Sequence, residues 1–285
     1  MPNQTVEALQ QSAVSATFPD GAAYRSISVE DVKRLSSTLG LGERQIELTA
    51  LAQEILPERY ARNRHSFSME DQSALLETHA AVIGLGGLGG AVTEILARIG
   101  IGRLTLVDGD CFEDSNLNRQ FLSTGDGIGR PKAAAAQKRV AAVNASVEVT
   151  VHPYYLDRKN GLTFLAGADL AVDCLDNLPA RFWLETACKK KGCPLVSAAV
   201  AGTTGHVTTI FPADQGLRLI YGDPRKVPSK GAETSLGTLP YAVTALAALE
   251  CAEVVKIVLK RENVLRNRLL IADFDAPQLD VMQLT

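Results

Sequence analysis

The chain has 285 residues, 46% hydrophobic and 21% charged, with a net charge of −3. That length suffices for one large or two small globular domains with a sizeable core. The charge offers a polyanion no general attraction, so nucleic acid is disfavoured as a partner. No apolar run reaches the roughly 20 residues that a membrane span needs. The N-terminus, MPNQTVEALQ, has no basic segment followed by an apolar one, so no secretory signal is read and the cytoplasm is the expected compartment. The five cysteines (Cys111, Cys174, Cys188, Cys193 and Cys251) are odd in number and form no CxxC, as expected for reduced thiols. Cys188 and Cys193 lie near each other, but no second pair completes four ligands, so zinc is not expected.

Residues 1 to about 25 are polar and weakly patterned, the signature of a loosely held arm. Ser28-Val-Glu30-Asp31 resembles a capping box and opens a helix to Leu39. Glu43 to Leu56 reads as a second helix closed by Pro57. Residues 1–58 are therefore expected to form an N-terminal arm and small helical extension, and residues 59–285 the main domain. Arg59-Tyr60-Ala61-Arg62-Asn63-Arg64 follows, and by itself it would pass for a solvated face. Met69 to Glu77 reads as a helix leading into the first strand of the main domain.

Ala80 to Asp108 organises the rest. Ala80 to Ile83 is a short apolar run ending in Gly84-Leu-Gly86-Gly87-Leu-Gly89, an apolar helical pattern follows, and Leu104 to Val107 is a second apolar run ending in Asp108. Strand, glycine turn, helix, strand and acid in this order make a nucleotide-binding βαβ unit. The glycines let the backbone approach a phosphate, and the helix that begins there aims its free N–H groups at it. Asp108 is placed to accept from ribose hydroxyls.

After Asp108, Ser115-Asn116-Leu117-Asn118-Arg119-Gln120 is a polar loop beyond the carboxyl end of a strand, where open α/β sheets hold ligands. Pro131 opens an alanine-rich helix and sets Lys132 at its N-terminus, where the helix dipole disfavours a cation. The residue either meets an anion there or points into water. Val147 to Val151 reads as a strand and Gly161 to Ala166 as a short helix. Asp169 to Asn177 is a strand running out into Asp176 and Asn177, on the same strand-end face as the glycine turn. There Asp176 either holds Mg²⁺ beside a triphosphate or caps the helix over Pro179 to Lys191. Strands over Pro194 to Val200 and Gly205 to Phe211, a long loop to Pro240, a helix over Tyr241 to Leu259, a strand over Leu269 to Phe274 and a short tail complete the chain. The fold class is α/β: a Rossmann-like, doubly wound, mainly parallel sheet with antiparallel C-terminal strands and a small N-terminal helical extension.

RYARN (Arg59 to Asn63), GLGGLG (Gly84 to Gly89), LTLVDGD (Leu104 to Asp110), SNLNRQ (Ser115 to Gln120), GRPKA (Gly129 to Ala133) and DCLDN (Asp173 to Asn177) stand in this order. Together they resemble the ThiF/MoeB/HesA family, bacterial relatives of ubiquitin-activating enzymes, over roughly Arg59 to Phe274. The resemblance implies an adenylyltransferase that uses ATP and Mg²⁺ on the C-terminal carboxylate of a small ubiquitin-like sulfur-carrier protein ending in Gly-Gly, serving molybdopterin, thiamine or a related sulfur pathway. It places Gly84, Gly86, Gly87 and Gly89 at the nucleotide, with Gly86 and Gly87 near the phosphates, and Asp108 on the ribose. Asn116, Arg119 and Lys132 would hold the triphosphate beside Ser115, Asp176 would bind Mg²⁺, and Asn177 would line the pocket. Arg62 would serve the partner subunit's site in a homodimer, so Arg62, Arg119, Lys132 and Asp176 form the expected catalytic set. Asn63 stands where glutamine is usual. The chain lacks the two CxxC pairs of zinc-binding relatives, and Pro212 to Pro240 has no cysteine for a thioester with the carrier. Two other activities share parts of this pattern: activation of a small or tRNA-borne carboxylate, as in threonylcarbamoyladenosine dehydratases, and an NAD-dependent dehydrogenase. The latter leaves Arg119, Lys132 and Asp176 without a role.

Overall fold

A computed structural model describes residues 2–228 and 231–284 of the chain. The first unit runs α1 (Pro2–Ser12), β1 (Val14–Thr17), β2 (Ala23–Ile27), α2 (Val29–Leu39), α3 (Glu43–Ala52) and β3 (Ile55–Pro57). β1 pairs antiparallel with β2, and β3 joins β2 in parallel. Helix α2 begins as its sequence dictates: the Ser28 Oγ accepts the Asp31 N–H at 3.0 Å. Gly40 closes it in the left-handed conformation, at φ 65°.

The loosely held arm expected over residues 1 to 25 is a helix and two strands instead. Leu9 is buried with Ile27, Val32, Leu35, Ile46, Ala50 and Ile55 in a small core of the unit's own. One leucine in a polar helix leaves almost no hydrophobic period to read, yet its burial contributes on the order of 2 kcal/mol and docks the helix. The extension is therefore a helix-and-strand unit. The second helix also stops early, at Ala52, because Glu54 adopts φ 56° and turns the chain into β3.

The main unit continues through a tight turn (Glu58–Asn63), α4 (Met69–Glu77), β4 (His79–Ile83), α5 (Gly87–Ile99), β5 (Arg103–Val107), α6 (Lys132–Val143) and β6 (Glu148–His152). Then come α7 (Gly161–Phe164), β7 (Leu170–Asp173), α8 (Leu178–Lys191), β8 (Leu195–Ala201), β9 (Thr204–Ile210), α9 (Arg218–Tyr221), α10 (Glu233–Leu236), α11 (Pro240–Val258), β10 (Arg268–Asp273) and β11 (Gln278–Gln283). Its eight strands lie in the order β11-β10-β9-β8-β7-β4-β5-β6. The five from β8 to β6 are parallel, and β9, β10 and β11 are antiparallel. This is the Rossmann-like, doubly wound sheet with antiparallel C-terminal strands that the sequence pattern implies. Its inner parallel strands are largely apolar and buried because helices cover both faces, while the edge strand β6 alternates and is partly exposed. Leu88, Val92, Val140, Leu246 and Val254 pack on one face, and Phe164, Leu184 and Cys188 on the other.

The short tail expected after Phe274 contains β11, which pairs with β10 over six residues. All six are exposed, so no alternation marks the strand in the sequence. All five cysteines are free thiols, four of them buried. Among the described residues, no helix is long and apolar enough to cross a membrane.

The arginine-rich stretch after β3 is a solvated face only in part. Arg59 pairs with the buried Glu47 carboxylate of α3 at 3.0 Å. The fully buried Tyr60 donates to the same carboxylate at 3.2 Å and accepts from Asn144 Nδ2 at the end of α6 at 2.9 Å. These contacts latch the N-terminal unit to the main one, while Arg62 and Arg64 stay exposed. In the sheet, the chain leaves β4 toward β5 and β6 and returns to β7 on the other side. The loops after β4 and β7 therefore part, opening a crevice at the carboxyl ends of the strands.

Candidate active site

The glycine turn is shaped by close approaches. Gly84 sits at φ 93°, and a Cβ there would lie 2.6 Å from the Cys174 carbonyl oxygen at the end of β7. Gly86 caps α5 and Gly87 begins it, so the first amides of the helix have no acceptor within it and face the crevice. A Cβ on Gly87 would press on Val243 of α11 at 2.9 Å. Gly89 serves differently. A Cβ there would sit 1.8 Å from the Gly84 oxygen, so this glycine seats the helix on the turn.

The crevice is a cleft of about 430 Å³ lined by Gly84, Gly86, Gly87, Asp108, Arg119, Lys132, Asp176 and Asn177. Eight of the expected site residues thus converge on one cavity. Asp108 holds the turn together: its carboxylate accepts the Leu85 and Asp110 N–H groups, each at 2.7 Å. Burial pushes its carboxyl above the usual range, against those two bonds. Each oxygen keeps a second lone pair for a ligand. Lys132 does not point into water: its side chain is only 7% exposed, with its ammonium 3.0 Å from Asp110 Oδ2. A buried cation at a helix N-terminus needs such a partner.

Arg119 donates from Nη1 to the Ser115 carbonyl and to Asn118 Oδ1, both at 2.9 Å. Ser115 and Asn116 are not among the residues lining the cleft. Asn116 is buried, and its Oδ1 accepts the Glu113 N–H at 3.1 Å, folding the loop that carries Arg119. Asp176 is exposed, and the helix cap is its neighbour: Asn177 Oδ1 accepts the Ala180 N–H at 2.9 Å. Arg62 lies outside the cleft, on the side of the N-terminal unit that carries Tyr24. The loop after β9 returns to the cleft at Thr238, beside which the Gly202 N–H donates to the Gly237 carbonyl at 2.8 Å.

Sequence reasoning missed Asp110, Tyr155, Arg181 and Trp183, all of which line the cleft. Asp110 was legible as the second acid of the GD pair after Asp108. Arg181 lies five residues beyond Asp176, on α8, and is nearly buried. It pairs with the fully buried Asp173 at 3.1 Å and donates to the carbonyls of Leu175 and Ala198. Against the penalty of burial, the Asp173 carboxylate keeps this guanidinium charged. Ser197 Oγ donates to the same carboxylate at 2.7 Å. Behind them, burial and then the nearby Asp173 push the Glu250 carboxyl well above the usual carboxylate range. Burial, then the charge of Arg181, lowers His206 to about 4, so its ring is neutral. Its Nε2 lies 2.9 Å from the Tyr221 hydroxyl, a structural position.

Comparison with known proteins finds relatives over most of the chain. The ThiF family model matches residues 60–285. The SAMP-activating enzyme E1 of Haloferax volcanii is 34% identical over 221 residues, covering 76% of this chain and 81% of that protein. The sulfur carrier protein adenylyltransferase of Thermus thermophilus is 36% identical over 225 residues, with 76% and 81% coverage. Among solved structures, PaaA superposes with a TM-score of 0.66 at 21% identity, covering 96% of this chain and 99% of that one. E. coli MccB with ATP gives 0.65 at 22% identity, covering 89% and 82%. At that identity the two structures speak for the fold alone.

Proposed function

The chain belongs to the ThiF family, and from that premise we propose that it adenylates the C-terminal carboxylate of a small ubiquitin-like sulfur-carrier protein ending in Gly-Gly, releasing pyrophosphate from ATP. The observation that carries this reading is the convergence of Arg119, Lys132 and Asp176 with the glycine turn and Asp108 on one cleft. A dehydrogenase needs no such pairing of cations with an uncommitted acid.

In this reading ATP lies across the strand ends, its phosphates at Gly86, Gly87 and the first turn of α5, and its ribose at Asp108. Arg119 and Lys132 neutralise the triphosphate, arginine through its planar fork and lysine as a point charge. A carboxylate oxygen of the carrier attacks the α-phosphorus, the α–β bridging bond breaks, and pyrophosphate leaves. The carrier's carboxylate is already ionised at neutral pH, so no general base is required. The protein positions the reactants and offsets developing charge.

Asp176 fits a magnesium ion: it is exposed, and its contact with a neighbouring amide, Asn177 Nδ2 to Oδ1, is long at 3.4 Å. Magnesium is held by one or two carboxylates plus substrate phosphates and waters. Among the described residues no group of three or more His, Cys, Asp or Glu side chains is arranged to hold a metal ion. Bound there, the ion would screen phosphate charge. Ser115 and Asn116 act from behind the cleft, orienting Arg119. Arg62 serves the cleft of a second copy in a homodimer. The adenylation unit spans residues 59–285, with residues 1–58 appended to it, and the adenylate passes to a sulfur donor without a thioester in the loop after β9.

The test is ATP–pyrophosphate exchange with Gly-Gly-ended carriers. Exchange that requires the carrier's last residue supports the reading. Arg119→Ala and Lys132→Ala are expected to abolish exchange with little loss of fold, and full activity in both variants would sink the assignment of the cleft.

A further inference from the structure

Tyr155 is an exposed aromatic residue that lines the cleft. It follows β6, is 68% exposed, and lies flat enough on the backbone that a Cβ on Gly109 would come within 2.8 Å of its ring. Its hydroxyl donates to Asp110 Oδ1 at 2.6 Å, while the other oxygen of that carboxylate accepts from Lys132 Nζ at 3.0 Å. The backbone of Tyr155 is pinned: its carbonyl accepts from Asn160 Nδ2 at 2.8 Å, and the next residue, Leu156, is buried. So exposed a ring contributes little burial to the fold, and its position is explained by what the hydroxyl does.

We propose that Tyr155 is a positioning residue for nucleotide phosphates, acting through Asp110 on Lys132. Asp110 is half-exposed, and a carboxylate free on one side either closes both oxygens on the ammonium or swings into water. In the first case it competes with phosphate for Lys132, and in the second it leaves a buried lysine without a counter-charge. The hydroxyl of Tyr155 occupies one oxygen and fixes the plane of the carboxylate, so that the other holds Nζ inside the cleft with donors to spare for a ligand. Tyr155 keeps its own proton, because Asp110 pushes the phenol up to about 12. The inference rests on the adenylation reading only in that the cleft takes a nucleotide triphosphate.

The experiment is calorimetric titration of the full-length chain with MgATP and, separately, with AMP. Tyr155→Phe keeps the ring and removes the hydroxyl. It is expected to weaken MgATP about 3- to 10-fold, within the net worth of one ordinary hydrogen bond because the effect is relayed through Asp110, and AMP, with one phosphate for three, less than about twofold. In an Asp110→Asn background the same change is expected to alter MgATP affinity by less than about 1.5-fold, because the path it acts through is gone. Equal losses in both backgrounds, or wild-type MgATP affinity in Tyr155→Phe, overturn the proposal. If the wild-type chain binds MgATP but no carrier supports pyrophosphate exchange, the adenylation reading fails while this inference is still decided by the titrations. A wild-type chain that does not bind MgATP overturns both.

Discussion

Replacing Arg181 with methionine tests the network that presents the second half of the cleft. Asp173 is fully buried and Arg181 nearly so, with 3.1 Å between their charged groups, and the guanidinium also satisfies the carbonyls of Leu175 and Ala198. Arg181→Met keeps the length and apolar stem of the side chain, but leaves Asp173 with only the Ser197 hydroxyl and the Leu175 N–H. Removing one partner of a buried pair costs about 3–5 kcal/mol, because the remaining charge is uncompensated. Against a total stability of about 5–15 kcal/mol, that is a large fraction. The assay is urea denaturation at neutral pH, read as a shift of midpoint at constant slope. The double variant Asp173→Asn, Arg181→Met removes the orphan charge and is expected to recover about half of the loss. The turn from Leu175 to Asn177, which carries Asp176, should loosen as well, so MgATP binding weakens even where the variant is folded. A loss under about 1 kcal/mol, or a double variant no better than the single one, would falsify the reasoning.

Other outcomes follow from neighbouring residues. Gly89→Ala, whose Cβ would sit 1.8 Å from the Gly84 oxygen, is expected to cost about 3 kcal/mol by thermal or urea unfolding and to abolish MgATP binding. Gly125→Ala, with nothing within 4 Å, is its neutral control. His206, lowered to about 4 in the folded protein, titrates near 6.5 unfolded, so the unfolded chain binds more protons between those values and stability falls as pH drops below about 6.5. The loss between pH 7 and pH 5 is about 2 kcal/mol, and His206→Gln should flatten that limb of the stability–pH curve. Glu250 behaves oppositely: its folded carboxyl is raised well above the unfolded value, so its contribution is full at low pH and is lost as pH rises. Glu250→Gln, neutral at every pH, should therefore be as stable as the wild type or more so at pH 8, and marked destabilisation there would show that the carboxyl is ionised in the fold.

The βαβ unit was legible because its rules are local: a glycine turn, two apolar runs and Asp108 lie within one short stretch of chain. The same held for the Ser28 cap, the inner parallel strands buried on both faces, and the place of the SNLNRQ loop beyond the carboxyl end of a strand. Elements without a hydrophobic period stayed hidden. The helix that buries Leu9 carries one strong anchor, and the strand over Gln278–Gln283 buries none of its residues.

Tertiary structure alone decided which residues face the cleft. Ser115 and Asn116 belong to the same motif as Arg119 but do not line the cleft: Asn116 is buried with its Oδ1 on the Glu113 N–H, and Ser115 offers its carbonyl to Arg119. Lys132 was ambiguous between water and an anion, and the choice depended on Asp110, 22 residues earlier in the chain. Arg181 and Tyr155 carry no motif; the first meets Asp173 only when α8 folds back on β7, and the second meets Asp110 only because β6 pairs with β5. Glycine turns, caps and runs of like residues follow from short-range sterics and the periods of helix and strand, so the order of residues specifies them. Which carboxylate neutralises which cation depends on distances set by sheet order and helix packing, and those exist only once the chain has folded.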